Sequence, residues 1–202
     1  IECLDHLRDQ VGVGRDEVEI VVVDNTGNEP VRDEIAERAD IEVRMRGNAH
    51  LCRARNVGVA LASSEVIAFI DDDGLVECDY FRNGLRYFDD DEFAAIRTRI
   101  VAREHPYFTT LATHYSRGPD VVDDCLVTEG SSFVRTDAYV AVGGFAEDMS
   151  GHEGIDLTFR LLNETGMRVV YVPDVVMHHD YIHTWSKFAR KNWRYAGVDD
   201  RT

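Results

Sequence analysis

The sequence predicts an α/β protein in which a mostly parallel central sheet is flanked by helices. Three observations carry this reading. Two apolar runs, EIVVVD (19–24) and EVIAFID (65–71), lack polar alternation, as strands buried on both faces do. Helical stripes separate the strands, so the chain runs helix, strand, helix, strand, helix, strand, helix as far as residue 88. Each strong strand ends in acid, Asp24 in one and Asp71, Asp72 and Asp73 in the other. Such ends are where an α/β sheet receives its ligands.

Taken in order, Leu4, Leu7 and Val11 mark a first helical stripe, and EIVVVD a strand that stops at the turn-forming NTGNEP. A short helix from Val31 to Arg38 leads to a strand at IEVRM (41–45). AHLCRARNVGVALA (49–62) reads as a helix with Leu51, Ala54, Val57 and Leu61 on one face. After the strand 65–71, residues 79–88 resume a helix and FAAIRTRIVA (93–102) gives a strand, whereas 106–128 has no clear period. SSFVR (131–135) is a short strand, TDAYVAV (136–142) a helix with Thr136 as its N-cap, and GGF (143–145) breaks it. HEGIDLTFRLLNETG (152–166) is a helix closed by Gly166. MRVVYVPDVVMHH (167–179) gives two short strands around Pro173, and 182–196 an aromatic, basic helix. The reading is one domain over 1–202, with 182–202 as its C-terminal helical segment.

Composition narrows the function classes. The chain has 202 residues, 44% of them hydrophobic, enough for one sizeable core. No run of about eighteen apolar residues is present, so no membrane span is expected. The opening IECLDHLRDQ lacks the basic and apolar regions of a signal peptide. With 38 acidic against 22 basic residues the formal charge is −16, which argues against nucleic-acid binding. Only Lys187 and Lys191 are lysines. An acidic, lysine-poor surface suits a cytoplasm of high ionic strength, and a halophilic source is the expectation. Cys3, Cys52, Cys78 and Cys125 have no CxxC spacing, so reduced thiols in a cytoplasmic protein are expected rather than a zinc framework.

Six stretches, in this order, resemble the family 2 glycosyltransferases with the GT-A fold: VVVDNTG, RARNVGVALA, FIDDDGLVECDYF, EGSSFVRTDAYVAVGGFAE, HEGIDLTFRL and VVYVPDVVMHH. The resemblance covers residues 18–180. It implies transfer of a sugar from a nucleoside diphosphate sugar to an acceptor hydroxyl, with inversion and a divalent cation. Two features depart from the family pattern. The family's first strand has no counterpart before Ile1, and Gly154 stands where the catalytic helix usually has an acid. Both favour the competing reading, a nucleotide-sugar binding module without activity.

Adjacent carboxylates repel one another and would repel an anionic diphosphate. Mg²⁺ or Mn²⁺ held between them resolves the conflict, because hard carboxylate oxygens and phosphate both bind such ions. By resemblance, Asp73 is a metal ligand, Asp71 a ribose or metal contact, and Asp72 a further donor contact; the alternative is a solvated acidic turn. Asp24 would accept from the base or ribose, or else start a turn. Arg55 and Asn56 fall in the ARN motif and would face the nucleotide; a surface ion pair is the other reading of Arg55.

Glu153 and Asp156 share a helix face, and one would act as general base, with Glu153 first. Asp156 would otherwise fix the helix to a neighbour, and His152 is a further candidate. His178 and His179 are both candidates for an additional metal ligand. Neighbouring strand residues point to opposite faces, so one only can reach the ion, and His179 is preferred. In 182–196, Trp185, Phe188, Trp193 and Tyr195 accompany Lys187, Arg190, Lys191 and Arg194. That helix would touch a membrane surface bearing a lipid-linked or other carbohydrate acceptor, at the inner face, or pack its aromatics on the domain.

Overall fold

The computed structural model describes residues 1–25, 33–47, 50–124, 130–149 and 151–195. Cys125, Val31, Ala49, most of the NTGNEP turn and the end of the C-terminal segment (196–202) lie outside them. The first half alternates as expected: α1 (Glu2–Arg8), β1 (Val21–Asp24), α2 (Asp33–Ala36), β2 (Ile41–Arg44), α3 (Leu51–Leu61), β3 (Val66–Ile70), a two-residue β4 (Leu75–Val76) and α4 (Tyr80–Leu85). β5 (Phe93–Val101), α5 (Pro106–Leu111), β6 (Val122–Asp123), β7 (Ser131–Arg135), α6 (Thr136–Ala141), α7 (Glu153–Arg160), β8 (Arg168–His178) and α8 (Trp185–Tyr195) follow.

The helix-flanked sheet stands, but its strand directions are mixed rather than mostly parallel. β1 and β2 form a separate parallel pair. In the six-stranded sheet, ordered β3-β7-β5-β8-β4 with β6 on β8, the β5–β8 pairing is the parallel one among the described residues. β7 runs antiparallel to both β3 and β5. The reason is that β7 enters the sheet at the end where β5 stops, with Ser132 opposite Arg97, and runs back along it.

Alternate residues of β5 and β7 divide between two hydrophobic clusters. Ile96 and Phe133 join one, and Ala95 and Val134 the other. Apolar residues therefore cover both faces, which explains the missing polar alternation.

Three local readings change, and one is refined. The buried face of α3 is Cys52, Ala54 and Val59, while Leu51 and Leu61 are exposed. Gly58 brings α3 close to β1, with a Val23 methyl 3.4 Å from where a Cβ would sit, so small side chains face inward. Thr136 opens α6 but does not cap it. Its hydroxyl donates to Ser64 O (2.7 Å), and Arg135 holds the cap position. α7 ends in a π-turn over Leu161–Thr165, and Gly166 closes it in the left-handed region (φ 72°) as expected.

Finally, 168–178 is one strand, not two. Its register against β5 jumps from Thr98↔Val172 to Arg99↔Val176. Pro173, Asp174 and Val175 form the resulting bulge, where a missing N–H costs no ladder bond. Asn83 Nδ2 and the Tyr87 hydroxyl donate to Asp174, and Arg86 pairs with it, anchoring the bulge.

Candidate active site

The acidic turn is built by backbone. Asp71 N donates to Gly130 O (3.1 Å), extending the β3–β7 pairing, and Gly74 N donates to Asp71 O (3.0 Å), folding the chain back toward β4. Glycine at 130 leaves room for the Asp71 carboxylate, which a Cβ there would push aside. Beneath the turn lies Cys3, whose thiol burial pushes up to about 11, helped by the charge of Asp72. It stays a neutral thiol.

His179 completes the cluster from the far side of the sheet. Its backbone N donates to Val101 O (2.9 Å), and its ring Nε2 lies 3.2 Å from Oδ1 of Asp73. That imidazole holds the Asp73 carboxyl below the usual carboxylate range. On the other side of the ring, Nδ1 lies 3.2 Å from the hydroxyl of Tyr115, a residue buried in the stretch 106–128 that showed no sequence period. Asp71, Asp73 and His179 each place a ligand atom within 4.8 Å of the others. Two carboxylates and one imidazole make a donor set suited to a hard or borderline divalent cation.

Not every expected residue joins. Asp72 is exposed and outside the cluster. His178 turns away, as strand alternation requires, and its Nε2 lies 3.4 Å from Glu77 Oε1. It lines a separate cavity of about 350 Å³ with His6, Asp9 and Cys78. In this arrangement His178 faces Glu77, and His179 faces the acidic turn.

Arg55 reaches the acidic turn from α3. Its Nη2 is 3.4 Å from Asp71 Oδ1, its guanidinium packs over the Phe145 ring, and Nη1 is buried with no partner among the described residues. Asn25 Oδ1 and His50 Nδ1, near the ends of β1 and the start of α3, are orphaned in the same way. Buried polar atoms without partners await something that supplies them. Asp24 is mostly buried at the end of β1, 3.7 Å from Arg44 Nε.

Asn56 is occupied otherwise. Its Nδ2 donates to Phe145 O (2.9 Å), and its Oδ1 accepts from the Tyr139 hydroxyl and Phe145 N. The amide locks α3 to the GGF turn, where Gly143 and Gly144 take left-handed φ of 80° and 69°.

α7 begins at Glu153, after His152 at φ 64°, the one non-glycine residue with positive φ among those described. Strain of this kind gathers at functional sites. Oε2 of Glu153 is buried without a partner, while Asp156 is paired with Arg160. Arg160 also donates to Val142 O (2.6 Å) and Gly144 O (2.7 Å). The Asp156–Arg160 pair thus ties α7 to the GGF turn.

The glycosyl transferase family 2 pattern matches residues 1–145, well over half of the chain. The protein belongs to that family. The pre-mycofactocin glycosyltransferases of Mycobacterium tuberculosis, strains CDC 1551 / Oshkosh and ATCC 25618 / H37Rv, are 31% identical across 80% of this chain. The match spans 37% of their length. GalNAc-T7, solved with UDP, GalNAc and Mn²⁺, superposes with a TM-score of 0.66 at 15% identity, covering 84% of this chain and 39% of that one. S. aureus TarS 1-349 in complex with UDP gives 0.67 at 16% identity, over 88% and 55%. The shared fold is GT-A. No helix among the described residues is long and apolar enough to cross a membrane.

Proposed function

We propose that this chain transfers a sugar from a nucleoside diphosphate sugar to an acceptor hydroxyl, by single displacement with inversion. The observation that carries the reading is the convergence of Asp71, Asp73 and His179 within 4.8 Å, beside the Asp71-bound Arg55. Asp71, Asp73 and His179 would hold Mg²⁺ or Mn²⁺, which supplies Lewis-acid stabilisation of the departing diphosphate. The Mn²⁺ and UDP bound in GalNAc-T7 and the UDP bound in TarS support this choice.

The chain's own residues take the remaining tasks. Arg55, with its orphaned Nη1, and the buried Asp24 and Asn25 offer a donor and acceptors to the nucleotide. Glu153 takes the proton from the acceptor hydroxyl as that oxygen bonds to the anomeric carbon and the carbon–diphosphate bond breaks. Its Oε2, buried without a hydrogen-bond partner, is open to take up that proton. Gly154, where the family pattern has an acid, is buried in α7, and its carbonyl accepts from Thr158, which leaves Glu153 as the base.

The acceptor is a carbohydrate or lipid-linked hydroxyl. Phe188 packs on Phe108 and Tyr181, but Trp185 and Trp193 are 59% and 64% exposed beside Lys187 and Arg190. This exposure supports peripheral contact between α8 and a membrane bearing such an acceptor. The decisive experiment mixes the protein with UDP- or GDP-sugars, Mn²⁺ and a panel of acceptor hydroxyls. Proton NMR then reads the anomeric configuration of the product. Product of retained configuration would sink the single-displacement reading, and tight donor binding without any turnover would leave a binding module.

A further inference from the structure

A second group of metal-ligating side chains stands outside the acidic turn. His105, Asp180 and His183 place one ligand atom each within 4.8 Å of one another. His105 immediately precedes α5, Asp180 follows His179 beyond β8, and His183 lies just before α8. The two imidazoles stack with centroids 4.6 Å apart and planes inclined by 35°. Neither histidine takes part in a hydrogen bond through its ring among the described residues.

Asp180 is held rigid. Its Oδ1 accepts from the backbone N–H groups of Arg103 (3.1 Å), Glu104 (3.1 Å) and His105 (2.8 Å), and Oδ2 from Glu104 alone (2.9 Å). A carboxylate oxygen has about two lone pairs. Oδ2 therefore keeps one, aimed from a carboxylate whose orientation is already fixed.

We infer that His105, Asp180 and His183 form a second metal site, selective for a borderline transition ion such as Zn²⁺. Charge and softness separate it from the acidic turn. Two carboxylates and one imidazole neutralise a divalent cation and suit Mg²⁺ or Mn²⁺, whereas two imidazoles and one carboxylate suit Zn²⁺. Zinc–ligand bonds of about 2.0–2.2 Å put tetrahedral ligands about 3.3 Å apart, so the group needs to contract by at most about 1.5 Å. His183 is exposed and supplies that movement by side-chain rotation, while half-buried His105 and the anchored Asp180 stay in place. The bound ion would clip the 103–105 turn to the start of α8.

The inference does not rest on the transfer reading, and the test uses zinc and cobalt alone. Co²⁺ titrated into the full chain should give visible d–d bands that Zn²⁺ abolishes, from a site that persists in Asp73→Asn. His105→Gln and His183→Gln should each weaken Zn²⁺ binding by more than about 10-fold, the least that even an outer-shell change causes. Mn²⁺-dependent UDP binding should stay within about twofold in both, since the two centres share no ligand. Unchanged zinc affinity in both variants overturns the site. Loss of Mn²⁺–UDP binding in His183→Gln overturns it too, because His183 would then serve the acidic turn. On the unaltered protein, Zn²⁺ should shift the imidazole NMR resonances of His105 and His183. A shift confined to His179 leaves one metal centre, not two.

Discussion

Nε2 of His179 lies 3.2 Å from Oδ1 of Asp73, although Asp73 sits in the turn between β3 and β4 and His179 follows β8, far along the chain. The contact converts an acidic turn into a mixed carboxylate–imidazole cluster. It also gives the imidazole a defined orientation, since the Tyr115 hydroxyl takes its other nitrogen. When Nε2 presents its lone pair to a cation, Nδ1 carries the proton and donates it to Tyr115.

Removing one charge from that cluster should remove nucleotide affinity. Asp73→Asn is expected to abolish most UDP or GDP binding in the presence of Mn²⁺, because the diphosphate then faces Asp71 and Asp72 without compensation. Calorimetry with and without a chelator checks this. Equal affinity of the unaltered protein in chelator would exclude a metal role.

Tyr115→Phe keeps the buried ring but removes the hydroxyl that fixes His179. Mn²⁺ affinity should fall by about 10–100-fold, the usual cost of losing an outer-shell partner, with an unchanged circular dichroism spectrum. An equal fall in metal-free melting temperature and in affinity would make Tyr115 a packing residue instead.

Glu153→Gln should lower turnover by about 10²- to 10⁴-fold while leaving donor affinity nearly unchanged. General-base catalysis acts in the transition state, whereas donor binding rests on the acidic turn and Arg55. Steady-state kinetics at saturating donor separates the two effects. Asp156→Asn should behave differently, losing stability through the Arg160 clamp rather than turnover in the folded fraction.

A pH effect on stability should come from His114. Burial lowers its pKa from 6.5 to about 4, with Arg97 and Lys191 adding to the effect and Asp124 opposing it. Arg97 is itself paired with Asp124 at 2.8 Å in the interior. Above pH 6.5 the imidazole is neutral in both folded and unfolded chains. As pH falls from 6.5 toward 4, the unfolded chain takes up a proton that the folded one refuses, so stability declines and the loss is complete below about 4. Melting temperatures measured across this window should fall less steeply in His114→Gln than in the unaltered protein. Parallel curves would show that His114 is not the group responsible.

The sequence by itself determined the α/β class, the strands that end in Asp24 and Asp71, and the six ordered stretches that mark the family. These are local properties. A run such as VIAFI followed by DDD carries burial, strand and turn in neighbouring residues, and the resulting elements lie where they were expected. Gly166 closing its helix is legible for the same reason, since a left-handed residue favours glycine wherever the fold puts it. Long-range geometry had to decide the rest. Alternation showed that one histidine of the 178–179 pair faces the acids, but the facing beyond the Pro173 bulge depends on the register of β8 against β5. Tyr115 was hidden in a stretch without periodicity, because its role comes from a contact with His179 rather than from its neighbours. Asn56 and Asp156 carry the family's pattern, yet their partners, Phe145 and Tyr139 for one and Arg160 for the other, became visible only once the GGF turn was folded against α3 and α7. A side chain's type follows from the chain; the polar group that satisfies it is set by packing.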